Sequence, residues 1–349
     1  MKLANFQKAL QILSPFIAES KIHGPMPGVL IDSGKGYMYS ARSFGEGLYL
    51  LDEEIAEKAF VLPYSIVSRI AKFSPDSKWS KFVEKDGKIS TKVGRITVSF
   101  PIEEVLEFEP TLCDSSGVDL DLDPGFFEKM GMLSGFMCQD DRKLSLYGMF
   151  IGDDGLYTCD NIRIVFMKCN VSEALRGCFI PYGTVFVLQR LGKMGMDAVR
   201  TESVLQLTSA EVGVFKFAQS GAEFPKVQSF VEKAQKGEER VFTIMEEKKE
   251  IEIFRDIFSS MIAELGSSIL NVVLHSDCCK ISASSLLSST DIEIPIEFRE
   301  EAPVEFSVNG GHFLEGMLLF NQCMVAPTWV RFWNDEMEYI ILKAVPGKK

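Results

Sequence analysis

Residues able to do acid–base, nucleophilic or metal chemistry are few and scattered in this sequence. Its three histidines, His23, His275 and His312, stand singly, with no HxxxH spacing and no CxxC…H arrangement, so no zinc site is written in them. The eight cysteines (Cys113, Cys138, Cys159, Cys169, Cys178, Cys278, Cys279 and Cys323) sit mostly in apolar runs and form no CxxC pair. That reads as buried, reduced thiols of a cytoplasmic protein. The phosphate-loop patterns GxGxxG and GxxxxGK[ST] are absent, as is GxSxG. The acidic run DLDLDP (119–124) alternates with leucine at period two, which reads as a strand edge ahead of a helix rather than a cation site. No acid, base and nucleophile converge. The sequence points away from an enzyme and calls for no cofactor and no metal.

A charge pattern is more informative. The 349 residues hold 37 basic and 49 acidic side chains, a net charge of −12, so no global positive field exists to hold nucleic acid. Basic residues segregated onto one face still could. Arg69 and Lys72 lie i, i+3 apart, opposite Ile66, Val67 and Ile70 of a helical pattern. Arg190 and Lys193 repeat the spacing opposite Val187, Leu188 and Leu191, 121 residues later in both cases (190 − 69 and 193 − 72). Lys8, Lys129 and Arg255 add cations on three further helical patterns. The third equivalent of the Arg69 segment, NGGHFLEGMLLF, has Glu315 and neither Lys nor Arg.

These positions belong to a threefold internal repeat. Helical spacing places Phe6, Ala9, Leu10, Leu13 and Ile17 on one face. It does the same for Phe126, Met130, Leu133 and Met137, and for Phe254, Ile257, Phe258, Met261 and Leu265. FVLPY (60–64) and CFIPY (178–182) each read as a strand ending in proline, then a helix, with Asn309 at the helix start of the third copy. Alternating strands GRITVSF (94–100), EVGVFKF (211–217) and EYIILKA (338–344) come near the end of each repeat. Asp86-Gly87 and Asp154-Gly155 read as hairpin turns. The expectation is an α+β chain of three modules, 1–115, 116–235 and 236–349, with joints at Ser115–Gly117 and Ala234–Gly237. The first 20 residues carry Lys8 and Gln11 inside their apolar stretch, so no signal peptide is expected. No run of about 18 apolar residues predicts a membrane span.

In this order, these repeats resemble the β sliding clamp, the processivity subunit of bacterial DNA polymerase III and its phage relatives. The opening MKLANFQKAL, the FVLP–helix segment, LSLYGMFIGDDGLYTCDNIRIVFM (144–167), FIPYGTVFVLQRLG (179–192), Phe224-Pro225 and the closing EYIILKAV (338–345) carry the resemblance. It implies helices inside and antiparallel sheets outside a ring formed by a head-to-tail homodimer. The ring encircles double-stranded DNA without sequence readout and without catalysis. Arg69, Lys72, Arg190 and Lys193, with the loop residues Arg142 and Lys143, are then the expected DNA contacts. DNA polymerase and clamp loader would dock short peptides in an apolar pocket. The family's pocket segment Thr-Asp-Gly-His-Arg-Leu stands here as Cys159, Asp160, Asn161, Ile162, Arg163 and Ile164. Leu146 matches a pocket leucine, and Ile340, Ile341 and Leu342 replace the family's Val, Val and Met. Lys343 departs from the family's proline, which points to altered partner specificity.

The resemblance also implies a ring joint of Ile96, Val98 and Phe100 against Ile262 and Leu265. The alternative to a clamp is an α+β repeat scaffold that binds peptides or proteins but not DNA. A third class is an enzyme with an unrecognised site.

Overall fold

The structure is a computed structural model. It describes residues 2–17, 27–42, 45–102, 118–120, 124–140, 142–192, 197–200, 204–218, 224–237, 240–245, 248–265, 268–284 and 289–344. The first repeat comprises α1 (Leu3–Leu13), β1 (Gly28–Asp32), β2 (Tyr37–Arg42), β3 (Gly45–Leu50), β4 (Phe60–Pro63), α2 (Tyr64–Ile70), β5 (Val83–Lys85), β6 (Lys88–Val93) and β7 (Ile96–Pro101). The second comprises β8 (Val118–Leu120), α3 (Pro124–Ser134), β9 (Gly148–Ile151), β10 (Gly155–Cys159), β11 (Arg163–Lys168), β12 (Phe179–Pro181), α4 (Tyr182–Gly192), β13 (Asp197–Arg200), β14 (Val204–Ser209) and β15 (Gly213–Ala218). After α5 (Gln228–Lys236) the third comprises β16 (Val241–Ile244), α6 (Lys249–Leu265), β17 (Ile269–Leu274), β18 (Cys278–Ser284), β19 (Ser289–Phe298), β20 (Val304–Asn309), α7 (Gly310–Leu319), β21 (Gln322–Val325), β22 (Trp329–Trp333) and β23 (Met337–Leu342).

From α1, α3 and α6 onward every repeat runs helix, three strands, a strand that passes directly into a helix, then three strands, with β8 and β16 preceding α3 and α6. Pro63 and Pro181 end β4 and β12 where α2 and α4 begin. Asn309 caps α7 instead, its side chain accepting from the His312 amide at 3.1 Å. Asp86 (φ 52°) and Gly87 (φ 71°) make the two-residue β5–β6 turn that positive φ at both positions demands. Gly155 lies in β10 rather than in a turn. A Cβ there would come within 2.2 Å of the Met167 carbonyl. The acidic 119–124 run begins in β8, the edge strand of its sheet, and ends at the start of α3. Its residues 121–123 lie outside the described residues.

Compactness divides the chain differently from sequence repetition. One unit is 1–134 with 171–222, and the other is 135–170 with 223–349. The expected joint at Ser115–Gly117 lies outside the described residues. The joint expected at Ala234–Gly237 falls instead on the last turn of α5, because Val227, Val231 and Ala234 recur at helical spacing and are buried. In the first unit an antiparallel sheet runs β4-β1-β2-β3-β15-β14-β13-β8, beside the three-stranded β5-β6-β7. In the second, strands run β9-β10-β11-β23-β22-β21-β16-β19-β18-β17-β20. The stripe Phe6, Ala9, Leu10 and Leu13 is buried, as are Phe126, Met130 and Leu133. In α6 the inward stripe is Ile251, Phe254 and Phe258. Ile257, expected among them, is 44% exposed beside Ile253, one step round the helix.

Two polar networks fix the second unit. Arg331 and Glu338, both nearly buried on the β22–β23 hairpin, form a two-pronged pair; one prong, Arg331 Nη2 to Glu338 Oε1, measures 2.7 Å. Arg331 also donates to the Ala234 carbonyl at 3.2 Å, and Gln235 donates to Glu338 at 3.2 Å, so the hairpin holds the end of α5. A charge pair of this burial is stable only because every partner is present. On the other side of β23, Glu315 of α7 accepts from Arg163 Nη1 at 2.6 Å and from the Tyr339 hydroxyl at 2.5 Å.

Burial raises the Glu315 pKa, but hydrogen bonds from His312 and Tyr339 and the Arg163 charge outweigh it, leaving it below the ordinary 4.5. A depressed carboxylate adds stability that is present above its unfolded pKa and lost as pH falls through its folded value. Stability of the wild-type chain should therefore drop more steeply between about pH 5 and pH 3 than that of Glu315→Gln. Denaturant midpoints across that range check this; parallel curves would remove Glu315 from the acid response.

Candidate functional site

Strand β11 pairs with β23 in the register Arg163↔Ile341, Ile164↔Ile340 and Val165↔Tyr339. Alternation then sorts the side chains. Ile164 and Ile340 join an apolar cluster with Leu146, Tyr157, Cys159 and Phe166. Val227, just before α5, and Val231 and Ala234 of α5 belong to the same cluster. Around this floor stand half-buried Phe150, Phe224, Phe230 and Trp329. Phe150 stacks on Phe224 with centroids 5.1 Å apart, and Phe230 meets Trp329 edge-on at 6.3 Å. The seam ends in water with exposed Ile162 and Leu342, the Leu342 amide donating to the Ile162 carbonyl at 2.8 Å. An apolar surface of this kind, with packed aromatic and exposed aliphatic side chains at its rim, suits the anchors of an extended peptide. Burial pushes the Cys159 thiol beneath it up to about 12, so it acts as a small apolar side chain rather than a nucleophile.

Of the seven residues expected to line the pocket, Leu146, Ile164 and Ile340 meet in the cluster and Leu342 stands at its exposed end. Ile341 points to the opposite face and is fully buried. Arg163 lies on that opposite face too, where it bonds Glu315 and Tyr339. Asp160 turns its carboxylate onto the Ile162 and Arg163 amides at 2.8 Å each and onto Arg163 Nε at 3.0 Å. Asp160 and Arg163 therefore set the seam and stand outside the apolar cluster. The sequence reading missed Phe150, Phe230, Trp329 and the whole of α5. The spacing of Val227, Val231 and Ala234 was the available signal for α5.

The expected DNA contacts divide. Arg69 is exposed in the last turn of α2, whereas Lys72 is exposed in the turn beyond, its amide donating to the Arg69 carbonyl at 3.1 Å. Placing both on one helix is corrected by α2 ending at Ile70. Arg190 is exposed on α4 and donates to the Gln11 carbonyl of α1 at 3.2 Å. Lys193 lies outside the described residues. Arg142 grips Asp140 through two bonds of 2.8 and 3.0 Å, and Lys143 stands 3.9 Å from it. The Arg142 hydrogen bond chiefly holds the Asp140 carboxyl below its ordinary pKa, so this loop offers a partly cancelled charge.

The expected ring joint also changes. On β7 Ile96 is 54% exposed, but Val98 and Phe100 face inward, Phe100 packing 5.8 Å from Phe60 and 6.5 Å from Phe82. Strand alternation puts Thr97 and Ser99 outward in their place. Ile262 is half-buried on α6, and Leu265 ends that helix.

No family model and no curated relative matches the sequence. Solved structures do. A DNA polymerase III β subunit from Thermotoga maritima superimposes with a TM-score of 0.80 at 16% identity, over 99% of this chain and 98% of that one. A Bartonella birtlesii sliding clamp bound to griselimycin gives 0.78 at 15% identity with the same coverage. A Helicobacter pylori β clamp bound to a DNA ligase peptide gives 0.75 at 14% identity, over 98% of each chain. From end to end, this chain has the fold of the bacterial β sliding clamps.

Proposed function

We propose that this chain is a DNA polymerase processivity clamp: two copies close head-to-tail around duplex DNA, and the groove beside α5 holds peptides of the polymerase and its loader. The full-length match to sliding clamps carries this reading, and the apolar groove at the β11–β23 seam supports its partner half. Processivity then comes from tethering, since a polymerase held on its template rebinds at high effective concentration. No side chain need take part in bond chemistry.

The pairing of strands supports the dimer. In the first unit β3, the third strand of its repeat, pairs antiparallel with β15, the last strand of the next. In the second, β11 and β23 are related in the same way. The strands left over are β19, third in the third repeat, and β7, last in the first. β7 is the edge of its sheet, and the 289–294 stretch of β19 pairs with β18 alone among the described residues. Pairing β7 of one copy with β19 of another would complete the series, and closing a ring after two copies removes both edges.

Loaded onto nicked circular DNA, the protein should stay bound through gel filtration, and cutting the circle should release it. A DNA-independent scaffold would show neither retention nor release. By sedimentation the chain should be a dimer of twice 39.1 kDa at micromolar concentration. Ile96→Asp should give a monomer that still unfolds in one cooperative thermal transition, because that side chain is solvent-facing within one chain; a variant still dimeric would place the joint elsewhere. Leu342→Arg should abolish binding of an extended peptide with Leu and Phe anchors while dimer and melt persist. Losing one such anchor costs about 1.5–3 kcal/mol, a drop of at least tenfold in affinity. Full binding by the folded variant would defeat the groove assignment.

A further inference from the structure

The cations around the peptide groove are unevenly committed. Those of the seam already have partners: Arg163 lies on Glu315 and Asp160, and Arg331 on Glu338. Lys343, which departs from the family's proline, sets its ammonium 4.6 Å from the centre of the Phe306 ring. Its amide donates to the Thr328 carbonyl at 2.9 Å. In the loop ahead of Leu146, Arg142 and Lys143 both turn to Asp140.

Helix α5 differs from one edge to the other. Val231 and Ala234 turn to the apolar cluster. Gln228 hydrogen-bonds the Tyr157 hydroxyl and Glu232 acts on it through space, which sets both along one edge. Phe230 stands on the other edge, where it meets Trp329 at 6.3 Å. Lys233 follows Phe230 at the i, i+3 spacing that puts two side chains on one ridge. Lys226 precedes Val227, the cap of the helix, and its carbonyl accepts from the Ser229 hydroxyl at 3.3 Å. Lys226 and Lys233 are exposed, and neither enters an ion pair among the described residues.

This second edge borders the solvent end of the groove. Trp329 pairs directly with Leu342 across the β22–β23 hairpin, and Leu342 is 41% exposed. A peptide anchored on Leu342 and Trp329 would run past two uncommitted ammonium groups. The whole chain carries a net charge of −12, so this rim has the sign opposite to the molecule's.

We infer that the groove takes a peptide with carboxylates beside its apolar anchors, and that Lys226 and Lys233 recognise them. This rests on the groove reading above and specifies the charge of its peptide. The apolar anchors supply affinity, and the rim charges select among peptides.

The test uses the full-length protein and two fluorescent extended peptides with the same Leu and Phe anchors. One carries aspartates beside the anchors; the other carries asparagines, of the same shape without the charge. At low ionic strength the aspartate peptide should bind more tightly, by about 1.5- to fivefold for each lysine engaged. The gap should close at about 0.5 M salt, where exposed charges are screened. Combining Lys226→Gln with Lys233→Gln should abolish the preference, whereas Lys236→Gln, on the far side of α5, should keep it. Thermal melts of both variants should match wild type, since every altered side chain is exposed. Equal affinities in the wild type, or a preference that survives the double substitution, would overturn the inference. Binding of both peptides alike condemns the charge rule and leaves the groove standing. Binding of neither condemns the groove reading, and this inference with it.

Discussion

The groove, the buried ion network and the order of strands in the second unit depend on one main-chain seam, β11 antiparallel to β23. Because side chains alternate with period two, its register decides the face of every residue at once. The observed pairing of Ile164 with Ile340 sends aliphatic groups to the groove and Arg163, Tyr339 and Ile341 to the side of Glu315. Slipping β11 by one residue would bring the Arg163 guanidinium into the apolar cluster and strand Glu315 without its cation. Burying the Arg163 guanidinium unpaired costs several kcal/mol, while Glu315, 36% exposed, would lose its cation, so the Arg163–Glu315–Tyr339 network favours the observed register. Asp160 reinforces it by fixing the turn immediately before β11.

The rest of the groove is suspended from that seam. The paired Arg331 and Glu338 sit on β22 and β23 and catch the Ala234 carbonyl and the Gln235 side chain at the end of α5. The helix that covers the groove is thus fastened to the hairpin that forms part of its floor.

Period carried the legible part of the sequence. Helical and strand spacing, with proline or asparagine at three helix starts, was enough to expose three copies of one element order, because those signals are local. The faces of β7 and α6 were less legible. Phe100 and Ile257 are as apolar as their neighbours, and only the packing of Phe60 and Phe82 below β7, or of Ile251, Phe254 and Phe258 along α6, decides which of them turns inward. Arg163 was placed in the pocket by similarity to a motif. Its role depends on Glu315, 152 residues away, and on Tyr339, which no local pattern connects to it. Lys72 shares helical spacing with Arg69 yet lies past the helix end, since α2 closes with the Ala71 amide bonded to the Val67 carbonyl.

An exposed strand edge is a row of unmet amides and carbonyls, and sheet proteins either protect such edges or pair them. This chain pairs two third-to-last strand edges internally, once in each unit. Its outer β7 edge carries Ile96, Thr97 and Ser99, with proline only at position 101, where the strand ends. The 289–294 stretch of β19 reads Ser-Thr-Asp-Ile-Glu-Ile, carries the carboxylates Asp291 and Glu293, and contains no proline. Neither stretch is broken by an internal proline. One is a last strand and the other a third strand, so they are complementary in the sense that β15 is to β3 and β23 is to β11. Pairing within one copy would leave each chain closed on itself, whereas pairing between two copies joins last to third twice over. A second copy, as proposed, would therefore meet the same third-with-last pairing that the repeat already uses twice within the chain.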